Sequence, residues 1–160
     1  MRFLTILAVG SFSIITILAL LVVTASQFSD DYLKRHLEHK IESITQSKVD
    51  IAHLETDLVN GKISIQDLVL GNPEGFSEDF ILRLGEVDIS IDIRTLGEDA
   101  VVIEQIALKE LETKLEITPP ANLNVITLKT QVEASESKND PIDDLHFTLR
   151  SFTLEEGKLH

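Results

Sequence analysis

Three hydrophobic patterns succeed one another along the chain. From Phe3 to Ser29 no side chain is charged, and Ile14-Ile-Thr-Ile-Leu-Ala-Leu-Leu-Val-Val23 is almost wholly aliphatic. A helix needs about 20 residues to cross roughly 30 Å of hydrocarbon, and it satisfies its own backbone polar groups. Segment 1–28 is therefore expected to be a single transmembrane anchor. The rival reading is a cleaved signal peptide, for which Val23-Thr24-Ala25 would supply the small residues. A signal core, however, runs only about 7–15 residues.

The second pattern has helical period. Leu33, Leu37, Ile41 and Ile44 form one stripe within 29–48, with Ser29 as a candidate N-cap and Asp30 and Asp31 at the positive end of the dipole. This predicts an amphipathic juxtamembrane helix whose stripe packs on the sheet that comes after it in the chain.

The third pattern has period two. Ile63 and Ile65 alternate within Gly61–Leu70, and Gly71-Asn-Pro-Glu-Gly-Phe76 is a dense turn. In Val87–Arg94, Val87, Ile89, Ile91 and Ile93 face one way, with Asp88, Ser90, Asp92 and Arg94 opposite. Val101–Ile106 and Leu108–Ile117 read as two more strands, and Pro119-Pro120 closes them. An antiparallel sheet is expected over 49–118. Segment 119–144 holds a short helix or strand and a polar linker, and 145–160 holds terminal strand or strands. Gly61-Lys-Ile and Gly157-Lys-Leu form a faint internal echo. The predicted fold class is mainly β, a curved antiparallel sheet that can stay open as a groove, preceded by the two N-terminal helices.

Charge narrows the partners. The net charge is −13, and Arg2 is the only charged side chain before Asp30, so the acidity belongs to the domain. Such a surface repels nucleic acid. With no Cys there is no disulfide, thiolate metal site or lipid-modified cysteine. His36 and His39 share a helix face but lack further ligands, and Asp88 and Asp92 fall on the wet face of a strand. No phosphate loop, nucleophile elbow or dinucleotide fingerprint is present. No catalytic residue, metal site or cofactor is expected, and the chain reads as a non-enzyme.

The aliphatic strand faces are the chemistry that remains. Ile63, Ile65, Val87, Ile89, Ile91, Ile93, Ile106 and Leu108 need a cover. Either the 29–47 helix closes them into an ordinary core, or they line a groove for the acyl chains of membrane lipid. The terminal strand also offers an open edge, through which a protein partner or a second copy could complete the sheet.

The order of these pieces carries a resemblance. A membrane helix and an amphipathic helix precede Ser47-Lys-Val-Asp-Ile, then Gly61-Lys-Ile-Ser-Ile-Gln-Asp-Leu-Val-Leu-Gly-Asn-Pro-Glu-Gly-Phe76, Leu84-Gly-Glu-Val-Asp-Ile-Ser-Ile-Asp-Ile93 and Val102-Ile-Glu-Gln-Ile-Ala-Leu-Lys-Glu-Leu-Glu112. The whole resembles the N-terminal region of the AsmA-like proteins of the bacterial envelope. The resemblance implies an inner-membrane anchor, a periplasmic domain, and a groove-forming sheet that binds or guides lipid in envelope maintenance. It also implies the orientation, which Arg2 on one side and Lys34, Arg35 and Lys40 on the other do not decide. Family members usually continue with many more strands, so autonomous lipid transport is not expected of a domain this small.

Overall fold

Helix α1 (Asp30–Thr45) opens the part of the chain that the computed structural model describes, residues 29–96, 100–136 and 146–160. The anchor segment 1–28 and the polar linker around Asn139-Asp140-Pro141 lie outside those residues. At the start of α1 the Ser29 carbonyl accepts the N–H groups of Tyr32 and Leu33, while the Ser29 hydroxyl makes no cap. Gln46 ends the helix in the left-handed region. Leu33, Leu37 and Ile41 are buried and Ile44 is half-buried, so the stripe packs on the sheet as its period requires.

The strands are β1 (Val49–Asp57), β2 (Lys62–Leu70), β3 (Leu82–Ile91), β4 (Ala100–Thr113), β5 (Ile117–Thr118), β6 (Asn122–Leu123), β7 (His146–Leu149) and β8 (Phe152–Leu159); helix α2 (Asn124–Glu136) follows β6. β1 to β4 form an antiparallel meander. β7 and β8 then lie end to end along β4, both parallel to it, while β5 and β6 form a separate two-stranded ribbon. The fold is thus mainly β, with two helices on a mixed sheet in which antiparallel pairing dominates. The expectation of an all-antiparallel sheet is corrected at β7 and β8. The cause is α2, since a helical crossover brings the chain back to the end where β4 began. α2 packs beside α1, where Val132 is buried and the Ser135 hydroxyl donates to the Ile44 carbonyl.

Two further corrections concern strand limits. The expected strands Val101–Ile106 and Leu108–Ile117 are one continuous strand, β4, followed by the short β5. Ile93 does not extend the Val87–Ile91 face. Asp92 accepts the Arg94 N–H and pairs with its guanidinium, turning Ile93–Thr95 into a 3₁₀ turn that leaves Ile93 exposed. The hydrogen bonds from Arg94 hold the Asp92 carboxyl down to about 2. A local side-chain cap has won over alternation.

Alternation is also broken inside β1, β2 and β3, at one shared level. The buried side is Val49, Ile51, then Leu54 in β1. It is Ile63, Ile65, then Leu68 and Leu70 in β2, and Leu84, then Val87, Ile89 and Ile91 in β3. In each strand two consecutive residues, instead of one, separate the two halves. The registers Gln66↔Glu86↔Lys109 and Leu68↔Leu84↔Leu111 flank one transverse row made of Ala52, Asp67, Gly85, Glu110 and Glu156. Asp67, Glu110 and Glu156 in that row have φ of 51°, 53° and 56°. Each left-handed residue flips the alternation of its own strand, and a doubled step in every strand keeps the core positions on both sides of the row on one face. Left-handed backbone costs a non-glycine residue about 1–2 kcal/mol, and sharing the row across the sheet preserves every ladder around it.

Candidate functional site

Of the eight aliphatic residues expected to line a groove, six are core. Ile63, Ile65, Val87, Ile89, Ile91 and Ile106 are buried in one cluster with Leu33, Leu37 and Ile41 of α1. Leu108 is half-buried against that cluster, and Ile93 stands outside it. Fully burying such a side chain is worth about 1.5–3 kcal/mol, so this face is what holds the domain together.

The two edges of the sheet are treated differently. The free edge of β1 is sealed by side chains of α1. Glu42 accepts the Val49 N–H at 3.1 Å, and Glu38 accepts the Ile51 N–H at 3.0 Å. Lys34 donates to the Ala52 carbonyl at 3.3 Å, and Asp30 accepts the Thr56 hydroxyl at 2.6 Å. Two N–H donors and one carbonyl that another strand would use at the start of this edge are already taken, by charge-assisted bonds from a helix fixed by its own apolar stripe.

The β7–β8 edge has no neighbouring strand among the described residues. The Ile106 N–H donates to the Ser151 carbonyl at 3.0 Å, and the Ile106↔Phe152 and Leu108↔Leu154 registers continue that ladder. In a parallel ladder this turns the backbone groups of Phe152 and Leu154 away from β4, toward the open side. Their side chains extend the core rows: Ile63, Ile89, Ile106, Phe152 in one and Ile65, Val87, Leu108, Leu154 in the next. Exposure jumps along each row, from 1% at Ile106 to 51% at Phe152, and from 5% at Val87 to 48% at Leu154. Leu149 and Leu159 are exposed on the same strip. The helix layer stops short of the last strand.

The other polar constellations are structural. Asn124, fully buried at the start of α2, donates to the Asn72 side chain and the Lys114 carbonyl, and its Oδ1 accepts the N–H groups of Glu116 and Val125. Glu116 accepts the N–H groups of Ser77 and Glu78 at 2.9 Å and the Ser77 hydroxyl at 2.7 Å. The N–H groups of Glu78 and Ser77 hold its carboxyl below the usual glutamate range. Together these residues fasten the Gly71–Phe76 turn to β5 and α2. On the uncovered face, an open depression of about 470 Å³ is lined by Glu55, Asp57, Lys62, Ser64 and Asp88. Two of its three carboxylates already have partners, Asn60 for Asp57 and Ser64 for Asp88. Among the described residues no group of three His, Asp or Glu could hold a metal ion. His36 stacks on Tyr32, and His39 lies 3.5 Å from Glu42.

No family model matches the chain, and no curated protein or solved structure matches it with significance. Among the described residues no helix is long and apolar enough to cross a membrane, and the apolar segment 1–28 lies outside them. Sequence reasoning missed the sealing carboxylates Glu38 and Glu42. They sit on a helix full of charges, and only the packing of α1 against β1 picks them out. It also missed the transverse row, whose signal is the repeated doubling of the polar step.

Proposed function

We propose that this chain is a non-catalytic interaction module that takes a further β-strand along β7 and β8. One observation carries the reading: the β1 edge is capped by Glu38 and Glu42, whereas among the described residues nothing pairs with the β8 edge and its apolar rows end in half-exposed Phe152 and Leu154. An added strand would satisfy the outward backbone groups and bury the strip. We place this module in a single-pass protein of AsmA-like type, anchored by segment 1–28 in the bacterial inner membrane with its domain in the periplasm. The order of motifs supports that placement.

Lipid binding is the second reading, favoured by the same exposed strip. The acyl chain would lie against Leu149, Phe152, Leu154 and Leu159, since the buried Ile and Val rows are occupied by α1. The two readings differ in what they ask of the backbone. A strand needs the outward N–H groups; an acyl chain needs only apolar area.

A photo-crosslinking residue at Leu154 in the 160-residue chain, expressed in a Gram-negative bacterium, tests this. The expected product is a crosslink to polypeptide, absent when the same probe stands at Glu55 on the polar face. A crosslink to phospholipid alone would replace the first reading by the second. Equal crosslinking at both positions would remove the edge as a specific site.

A further inference from the structure

The strands of the sheet share one sequence rule that says what the next strand must look like. Val49-x-Ile51-x-x-Leu54-x-Thr56, Ile63-x-Ile65-x-x-Leu68-x-Leu70, Leu82-x-Leu84-x-x-Val87-x-Ile89, Ile106-x-Leu108-x-x-Leu111-x-Thr113 and Phe152-x-Leu154-x-x-Gly157-x-Leu159 have the same spacing. The doubled step falls on the transverse row in every case. A strand with strict alternation laid on β8 would place one half of its apolar side chains on the wet face.

The doubled step also has chemistry. In β1 and β3 it reads small, then polar: Ala52-His53 and Gly85-Glu86. The small residue sits beside a left-handed neighbour, because a Cβ on Gly85 would lie 2.9 Å from Glu110 Cβ. The polar residue pairs across the ladder: Glu86 lies opposite Lys109, at 3.0 Å. On β8 the corresponding residues are Glu156, left-handed, and Glu155, exposed.

A second copy of this chain meets the spacing but not the charge. Antiparallel pairing of two β8 strands with their rows aligned sets Glu155 against Glu156 of the other copy and back again, between two chains of net charge −13 each.

We infer that the occupant of the β8 edge is an antiparallel strand other than β8 of a second copy, of the form apolar-x-apolar-(Gly or Ala)-(Lys or Arg)-apolar-x-apolar. The Gly or Ala faces Glu156 and the basic residue faces Glu155. This specification rests on the reading of the edge as a strand acceptor. The order small-then-basic fixes the direction, since a parallel strand would need the two reversed.

Three labelled peptides test it by fluorescence anisotropy with the 160-residue chain in detergent micelles. The first is Thr-Val-Thr-Ile-Gly-Lys-Val-Thr-Ile-Thr, the second lacks the Gly, and the third has Glu for Lys. The first is expected to bind about tenfold or more tighter than the others, the equivalent of losing one well-buried aliphatic contact. Leu154→Pro, which removes an N–H that β4 does not use, is expected to abolish that binding. Glu155→Lys keeps the strand and is expected to shift the preference from the Lys to the Glu peptide.

Equal binding of all three peptides, lost in Leu154→Pro, would overturn the specification and leave the edge reading standing. Binding that persists unchanged in Leu154→Pro and in Glu155→Lys would overturn both. So would failure of every peptide to bind. A wild-type dimer that Leu154→Pro converts to monomer would make the occupant β8 of a second copy and overturn the inference.

Discussion

Gly85 and Glu110 meet across the transverse row: a Cβ on Gly85 would come within 2.9 Å of Glu110 Cβ and 2.6 Å of its Oε2. The carboxylate can swing away, but the Cβ is tied to left-handed backbone and cannot. Gly85→Ala is therefore expected to cost about 1–3 kcal/mol, the range for overpacking a fitted site. Glu110→Gly removes the opposing Cβ, so the double variant is expected to be markedly more stable than the two single effects add to. Urea midpoints of the four proteins measure the coupling, and simple additivity would show that the two residues do not touch.

The seal on β1 predicts a local loss. Glu38→Ala leaves the N–H of Ile51, a fully buried residue, without its partner. The expected cost is about 1–3 kcal/mol. Glu38→Gln keeps an acceptor and is expected to lose less than half of that. Amide exchange should accelerate at Ile51 before it does at Ile89 in the middle of the sheet. Uniform acceleration would show that Glu38 matters to the whole fold rather than to the edge.

Asn124 joins more elements than any other buried polar side chain described. Asn124→Ala is expected to destabilise by about 2–4 kcal/mol, because it bares several donors and acceptors at once. The loosened part should be the Gly71–Phe76 turn together with the start of α2, readable as faster exchange at Ser77 and Val125. A loss confined to α2 would mean that Asn72 does not depend on Asn124.

Glu116 gives an acid response with a definite sign. Its folded carboxyl titrates below the usual glutamate range because the N–H groups of Glu78 and Ser77 bind the charged form. Its stabilising contribution is then complete above the ordinary glutamate value and fades as pH falls through the lower, folded one. Acidification should release the 72–78 turn early, and Glu116→Gln should flatten that part of the pH profile. Exchange at Ser77 followed between neutral and strongly acidic pH decides it; an identical pH profile in the variant would remove Glu116 from the response.

Much of this architecture is legible in single strings of residues. Leu33, Leu37 and Ile41 announce a buried stripe, and Val87, Ile89 and Ile91 announce a strand, because the periods 3.6 and 2 follow from covalent geometry alone. The same rule misplaced Ile93, where the Asp92 carboxylate captured the next turn. It also blurred β4, whose alternation flips between Ile103 and Ile106 and again between Leu108 and Leu111. The Gly61 and Gly157 echo has no common structure: Gly61 precedes β2 in a turn, and Gly157 lies within β8 opposite Leu111. The true repeat is the doubled polar step, present in the sequence but without meaning until the strands are set side by side.

The sequence by itself determined the inward stripe of α1 and the inward rows of β2 and β3 up to Ile91, because burial there follows hydrophobicity at a fixed backbone period. It also contained the spacing rule, strand by strand. Only the tertiary structure decided that the doubled steps form one row, that β7 and β8 run parallel to β4, and that one edge is capped by α1 while the other has no neighbour among the described residues. Those outcomes depend on which segments become neighbours. Glu38 is a surface charge in the sequence and the lock on Ile51 in the fold; Phe152 is one more strand residue in the sequence and the uncovered end of a core row in the fold.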